Sequence, residues 1–188
     1  MDEYVLHPER WVAQYADTLF GFVCARINDH TIAEDIVQDT FLSAWRAKDG
    51  YKGDATEKNW MFSICKNKII DYYRKQSREI QKTIAGLSDS GSFDEWGRWL
   101  SDSVPTEWGV SADASVMSRE FFQILEKCKN RLREMQQAVF VLKYMDDMDS
   151  DEICKELNIS SSNYWTLMHR AKLQLRGCLE KNWFNTAR

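Results

Sequence analysis

Hydrophobic positions recur along this chain at the three- and four-residue steps of amphipathic helices. Val12, Ala16, Leu19, Val23 and Ile27 predict a first helix over about Glu9 to Asn28, and Asn28-Asp29-His30 a short turn that leaves His30 in solvent. Ala33, Ile36, Val37, Thr40, Phe41, Ala44 and Trp45 then fall at i, i+3, i+4, i+7, i+8, i+11 and i+12, the stripe of a helix packed along its whole length. Thr31 with Glu34 three residues on reads as a capping box that fixes where this second helix begins. A loop with two glycines, Gly50 and Gly53, leads to a third helix from Trp60 to Lys75, its inner stripe Met61, Ile64, Cys65, Ile69 and Tyr72.

The pattern lapses from Gln76 to about Met117, where Ser88-Asp89-Ser90-Gly91-Ser92 marks a linker. Trp96, Trp99 and Trp108 make it too apolar for a fully flexible one, so it either packs on the domains or threads into a partner. Periodicity resumes at Arg119 with Phe121, Phe122, Leu125, Cys128 and Leu132, and continues from Gln136 to Tyr144 with Ala138, Val139, Val141 and Leu142. A short helix carries Ile153, Cys154 and Leu157, with Asp149 and Glu152 placed to cap it; Asn158-Ile159-Ser160 makes a tight turn. A longer helix starting at Ser161 or Ser162 turns Tyr164, Met168 and Ala171 inward. Two helices so joined form a helix-turn-helix unit, whose second helix enters the major groove of DNA. Trp183 and Phe184 are expected to cover this domain's core. The fold class is all-α, two small helical domains at 1–78 and 118–188 joined by a long linker at 79–117.

At 188 residues, 44% of them hydrophobic and 29% charged, the chain suits globular domains rather than disorder. No apolar run approaches the ~20 residues that span a bilayer, and no basic-then-apolar leader opens the sequence, so a cytoplasmic protein is expected. Cys24, Cys65, Cys128, Cys154 and Cys178 show neither a CxxC nor metal spacing, which predicts reduced, mostly buried thiols. Asp146, Asp147 and Asp149 lack the glycine and terminal glutamate of a calcium loop. No cofactor, metal or catalytic constellation is expected, which argues against an enzyme.

A net charge of −4 is awkward for a free DNA binder, because phosphate contacts dominate such affinity. Its distribution is segregated. Lys66, Lys68, Arg74, Lys75, Arg78 and Lys82 oppose only Asp71 and Glu79, whereas eight acids between Gly86 and Glu126 oppose only Arg98 and Arg119. Different parts are therefore suited to different partners.

Three sets of residues carry candidate chemistry. Asp35, Gln38, Asp39, Leu42 and Arg46 align on the outer face of the second helix, which is either a solvated surface or a dock for a basic partner helix centred on Leu42. The third helix interleaves rings with positive charge, as a core helix with a soluble basic end does, or as a single-strand binder does when rings stack on bases and cations hold phosphates. In the last helix Ser162, Asn163, Thr166, His169, Arg170 and Lys172 are left to face DNA, the early polar ones on bases and the later basic ones on phosphates.

Ala33-Glu34-Asp35, Gln38-Asp39-Thr40-Phe41 and Ala44-Trp45-Arg46 resemble region two of bacterial sigma factors of the small extracytoplasmic-function (ECF) type. Tyr51-Lys52-Gly53-Asp54, Asn59 to Asn67 and Ile70 to Lys75 resemble that region's promoter-melting segment. Ile153 to Ser160 and His169 to Arg176 resemble region four, with Asn158 in place of the common turn glycine and with Trp165 and Leu167 where short polar or basic residues are usual. The resemblance implies docking on core RNA polymerase through Asp35, Gln38, Asp39, Leu42 and Arg46. It implies contacts to the melted non-template minus-ten strand from Lys52, Asp54, Lys58, Trp60, Lys66, Asn67, Asp71 and Arg74, including capture of a flipped base. It implies minus-thirty-five contacts from Ser162 to Lys172, promoter specificity in transcription initiation, and an anti-sigma protein as a further partner. The competing reading is a free-standing helix-turn-helix regulator, which binds promoters without polymerase and has no use for the acidic face of the second helix.

Overall fold

A computed structural model describes residues 5–81 and 114–184, with side chains over 5–79 and 119–183. The described residues form α1 (Trp11–Cys24), α2 (His30–Ala47), α3 (Glu57–Gln81), α4 (Ala114–Lys129), α5 (Glu134–Tyr144), α6 (Ser150–Leu157) and α7 (Ser161–Leu179), and no strand. They fall into two compact units, Met1–Gln76 and Ser77–Arg188. α3 runs to Gln81 and α4 begins at Ala114, so residues 79–81 and 114–117 of the segment expected as a linker at 79–117 are helical. Trp96, Trp99 and Trp108 lie outside the described residues.

In the first unit α1 packs on α2. Its buried residues are Trp11, Tyr15, Leu19 and Val23, while Val12, assigned inward from the sequence, is 65% exposed. The two stripes share Leu19 and Val23 and part company over the first two turns, where distant Glu57 draws Trp11 and Tyr15 inward. The start of α2 also differs from expectation. Asp29, two residues before Thr31, is the cap, its carboxylate accepting the N–H groups of Thr31 and Ile32. Met61, Cys65, Ile69, Ile70 and Tyr73 form the buried side of α3. Tyr73, rather than Tyr72, turns in, and its hydroxyl donates to the carbonyl of Arg26 after α1. The Phe22 and Phe62 rings meet edge-on at 5.1 Å, a second tie between α1 and α3.

Glu57 opens α3 and is buried. Its Oε1 accepts the His7 backbone N–H at 2.5 Å and Trp11 Nε1–H at 2.6 Å, and its Oε2 accepts the Tyr15 hydroxyl at 3.0 Å. Burial pushes this carboxyl's pKa up, but the three donors and nearby His7 outweigh it and hold the group below its ordinary 4.5. Burial and the facing carboxylate raise Tyr15 to about 12, so its hydroxyl stays a donor. A carboxyl depressed in the folded state stabilises the fold fully above its unfolded pKa, and that contribution is lost as pH falls through the folded value. Glu57→Gln is therefore expected to cost about 2 kcal/mol at neutral pH and to flatten the acid limb of the stability profile. Urea denaturation across the acid range measures both, and an unchanged acid limb in the variant would refute this role for Glu57.

In the second unit α7 is packed by α4, α5 and α6. Cys128, Leu132, Ala171, Leu175 and Leu179 form a core cluster, with Phe121 and Leu125 partly buried against it. Phe122, assigned inward, is 62% exposed. Trp183 meets Phe121 edge-on at 5.6 Å, consistent with its expected place over this core. The expectation of five reduced cysteines is corrected: Cys128 of α4 and Cys178 of α7 form a disulfide, leaving Cys24, Cys65 and Cys154 free. A separation of 50 residues gives no spacing signal; only the packing of α4 on α7 brings the two thiols together.

Candidate functional site

On α2, Asp35, Gln38, Asp39, Leu42 and Arg46 are all exposed on one face. Their arrangement follows from the phase of the buried stripe, since Ala33, Ile36, Val37, Thr40 and Ala44 take the opposite side. Trp45, expected inward, is instead 55% exposed beside Leu42 at 47%. Ala44, one residue before Trp45, is fully buried, so the α2 stripe turns away from Trp45 within the last turn. Lys48 Nζ lies 4.7 Å from the centre of the indole ring. Two apolar side chains thus sit between Asp35 and Asp39 on one side and cations on the other. Beside them Ala16, Asp17, Phe20, Glu34, Val37 and Gln38 line a shallow groove of about 280 Å³.

The second set separates into two places. Lys52, Asp54 and Trp60, with Gly50, Tyr51 and Ala55, line a concavity of about 190 Å³. Its shape is built locally. Gly53 takes φ 76°, a left-handed turn natural to glycine, and the Tyr51 hydroxyl donates to the Ala55 carbonyl to close the loop. Tyr51 packs against Trp60 at 5.1 Å and Trp11 against Trp60 at 6.0 Å, so the network on Glu57 also sets the pocket's indole. Tyr51, the first residue of the Tyr51-Lys52-Gly53-Asp54 motif, is a pocket residue that the expected contacts do not include. Lys66, Asn67, Asp71 and Arg74 lie further along α3, accessible, with Arg74 Nη1 2.7 Å from Asp71 Oδ1. Lys58 extends over the Phe62 ring at 5.9 Å.

The third set lies on α7. Asn158 takes φ 53° and ψ 47°, the left-handed turn expected of it, and Ser160 caps α7 by accepting the Asn163 N–H at 3.2 Å. Ser162 is exposed; Asn163, Thr166, Arg170 and Lys172 are partly exposed. Tyr164, Met168 and Ala171 are buried as expected. His169 is a correction, being only 5% exposed. A helical side chain leans over the preceding turn, and the His169 ring lies 6.2 Å from that of Trp165, one turn earlier. Trp165 itself is exposed.

Among the described residues, no group of three or more His, Cys, Asp and Glu could hold a metal ion. No helix among them is long and apolar enough to cross a membrane. What remains is a set of accessible faces: an apolar pair edged with acids, a ring-lined pocket continuing onto a polar helix, and an exposed polar helix end.

Residues 11–79 match the family model for sigma-70 region 2, and residues 122–175 match that for sigma-70 region 4. The chain belongs to the sigma-70 family. A probable RNA polymerase sigma factor of Haemophilus influenzae is 37% identical over 172 residues, covering 89% of this chain and 87% of the relative. The ECF RNA polymerase sigma factor SigX of Bacillus subtilis is 28% identical over 166 residues, covering 88% and 80%. RNA polymerase sigma factor YlaC of the same organism is 25% identical over 173 residues, covering 90% of each chain. The α2 face and the Tyr51–Trp60 pocket both fall within region 2, and α6 with α7 as far as Leu175 falls within region 4.

Proposed function

We propose that this sigma-70 family member acts as the promoter-specificity subunit of RNA polymerase in the cytoplasm, docking on the core enzyme through the exposed α2 face. The observation that carries the reading is the joint exposure of Asp35, Gln38, Asp39 and Leu42 on one helix of region 2, joined by Trp45. A soluble helix gains nothing by exposing a leucine and a tryptophan side by side, whereas a partner helix covers both while acids and Arg46 set its orientation. The Tyr51–Trp60 pocket and the α3 face then hold the melted non-template strand, and α7 reads duplex DNA upstream. The polymerase supplies the chemistry of RNA synthesis, and this chain supplies position.

Such a division accounts for the charge. The net −4 opposes DNA binding by the free chain, and affinity rises once the acidic α2 face is covered and two DNA-contacting units act in tandem. Trp60→Ala is expected to reduce open-complex formation by about tenfold, the stacking energy of one base on one ring, while core binding is unchanged. Permanganate reactivity of melted thymines on promoter DNA, read against a core-binding titration, tests this. Equal reactivity in variant and wild type would contradict the assignment of the pocket.

A further inference from the structure

Trp165 lies one residue into the second turn of α7, on the side of the helix shared by Ser162 and Thr166, and it is 39% exposed. Its indole is held on two sides. Tyr164, itself buried, meets it edge-on at 5.1 Å, and the buried His169 ring lies 6.2 Å away. A ring fixed in this way and still exposed is prepared to cover something. Its neighbours are a hydroxyl at Ser162, a hydroxyl at Thr166 that donates to the Ser162 carbonyl at 3.0 Å, and the Asn163 amide, all suited to the donors and acceptors of base edges. The indole is apolar apart from one N–H and accepts no hydrogen bond.

In the major groove the edges of the four bases present donors and acceptors, and only thymine adds an apolar group, its C5-methyl. We propose that Trp165 is a specificity-determining residue that packs against a thymine methyl in the upstream promoter element, and that it takes the place on this face that the burial of His169 leaves. The proposal rests on the assignment of α6–α7 as the upstream reader. It adds a broad apolar surface to a face on which Thr166 offers only a single methyl.

The test uses the full chain with core RNA polymerase on promoter duplexes in which each thymine of the upstream element is replaced in turn by deoxyuridine, a change that removes only the methyl. For the wild-type protein, at least one position is expected to bind about fourfold more weakly as uracil, the worth of one buried methyl. Trp165→Ala is expected to bind the thymine and uracil forms of that position equally, and Trp165→Phe to keep part of the difference. No uracil effect at any position, or an effect of the same size in Trp165→Ala, overturns the proposal. Promoter binding that is unaffected by replacing the whole upstream element overturns the assignment of α6–α7 as its reader, and the proposal with it.

Discussion

An Asp35→Arg/Asp39→Arg double variant is expected to lose core RNA polymerase binding by roughly a thousandfold, from about 2 kcal/mol or more at each reversed charge. Both carboxylates are exposed, on the α2 side opposite Ile36, Val37 and Thr40, so the reversals leave the buried stripe intact. Reversal does more than delete a contact. It sets two cations against a partner surface that, to match this face, is basic, and like charges across an interface cost several kcal/mol. An unchanged thermal melt of the variant separates lost docking from lost folding. Leu42 and Trp45 remain in place, so whatever affinity survives measures their apolar share. A titration of labelled core reads the affinity directly, and a loss of less than tenfold would mean that the acids are ordinary solvated charge.

The second large effect concerns the Cys128–Cys178 bond. It closes a loop of 50 residues that contains α5, α6 and most of α7. Cross-linking a loop of this length lowers the entropy of the unfolded chain by about 4 kcal/mol at room temperature. Reduction is therefore expected to destabilise region 4 by about that amount and to leave region 2 unaffected. Thiol titration of the denatured, unreduced protein should find three free thiols, and urea denaturation with and without dithiothreitol should separate the two forms. Cys128→Ser should be insensitive to reductant. Five titratable thiols, or identical unfolding in both conditions, would show that the bond does not form in solution.

Much of the architecture was legible from local pattern. Ala33, Ile36, Val37, Thr40 and Ala44 of the α2 stripe, the inward Tyr164, Met168 and Ala171, and the turn at Asn158 all follow from helical spacing or from one residue's tolerance of left-handed backbone. The departures have a common origin in contacts between residues far apart in the chain. Trp11 and Tyr15 displaced Val12 because Glu57, 46 and 42 residues later, offers a carboxylate to their polar atoms. Trp45 fits the apolar period, yet it is exposed while Ala44 beside it is buried, and periodicity does not say which of two adjacent stripe residues a neighbouring helix covers. His169 fits the outer face by angle and is nonetheless buried, with the Trp165 ring 6.2 Å away. The paired cysteines are 50 residues apart, and only the packing of α4 on α7 joins them. Of the candidate site residues, those on α2 could be placed from phase alone, whereas the pocket at Trp60 needed the loop, the glycine turn and α1 together.

The most direct test of the central claim is run-off transcription from genomic fragments by purified core RNA polymerase, with and without this protein, beside duplex binding by the protein alone. The account predicts discrete transcripts that require both components, and little duplex binding by the free chain. Tight, specific duplex binding by the protein alone, with no core binding and no transcripts, would contradict it and point to a free-standing regulator.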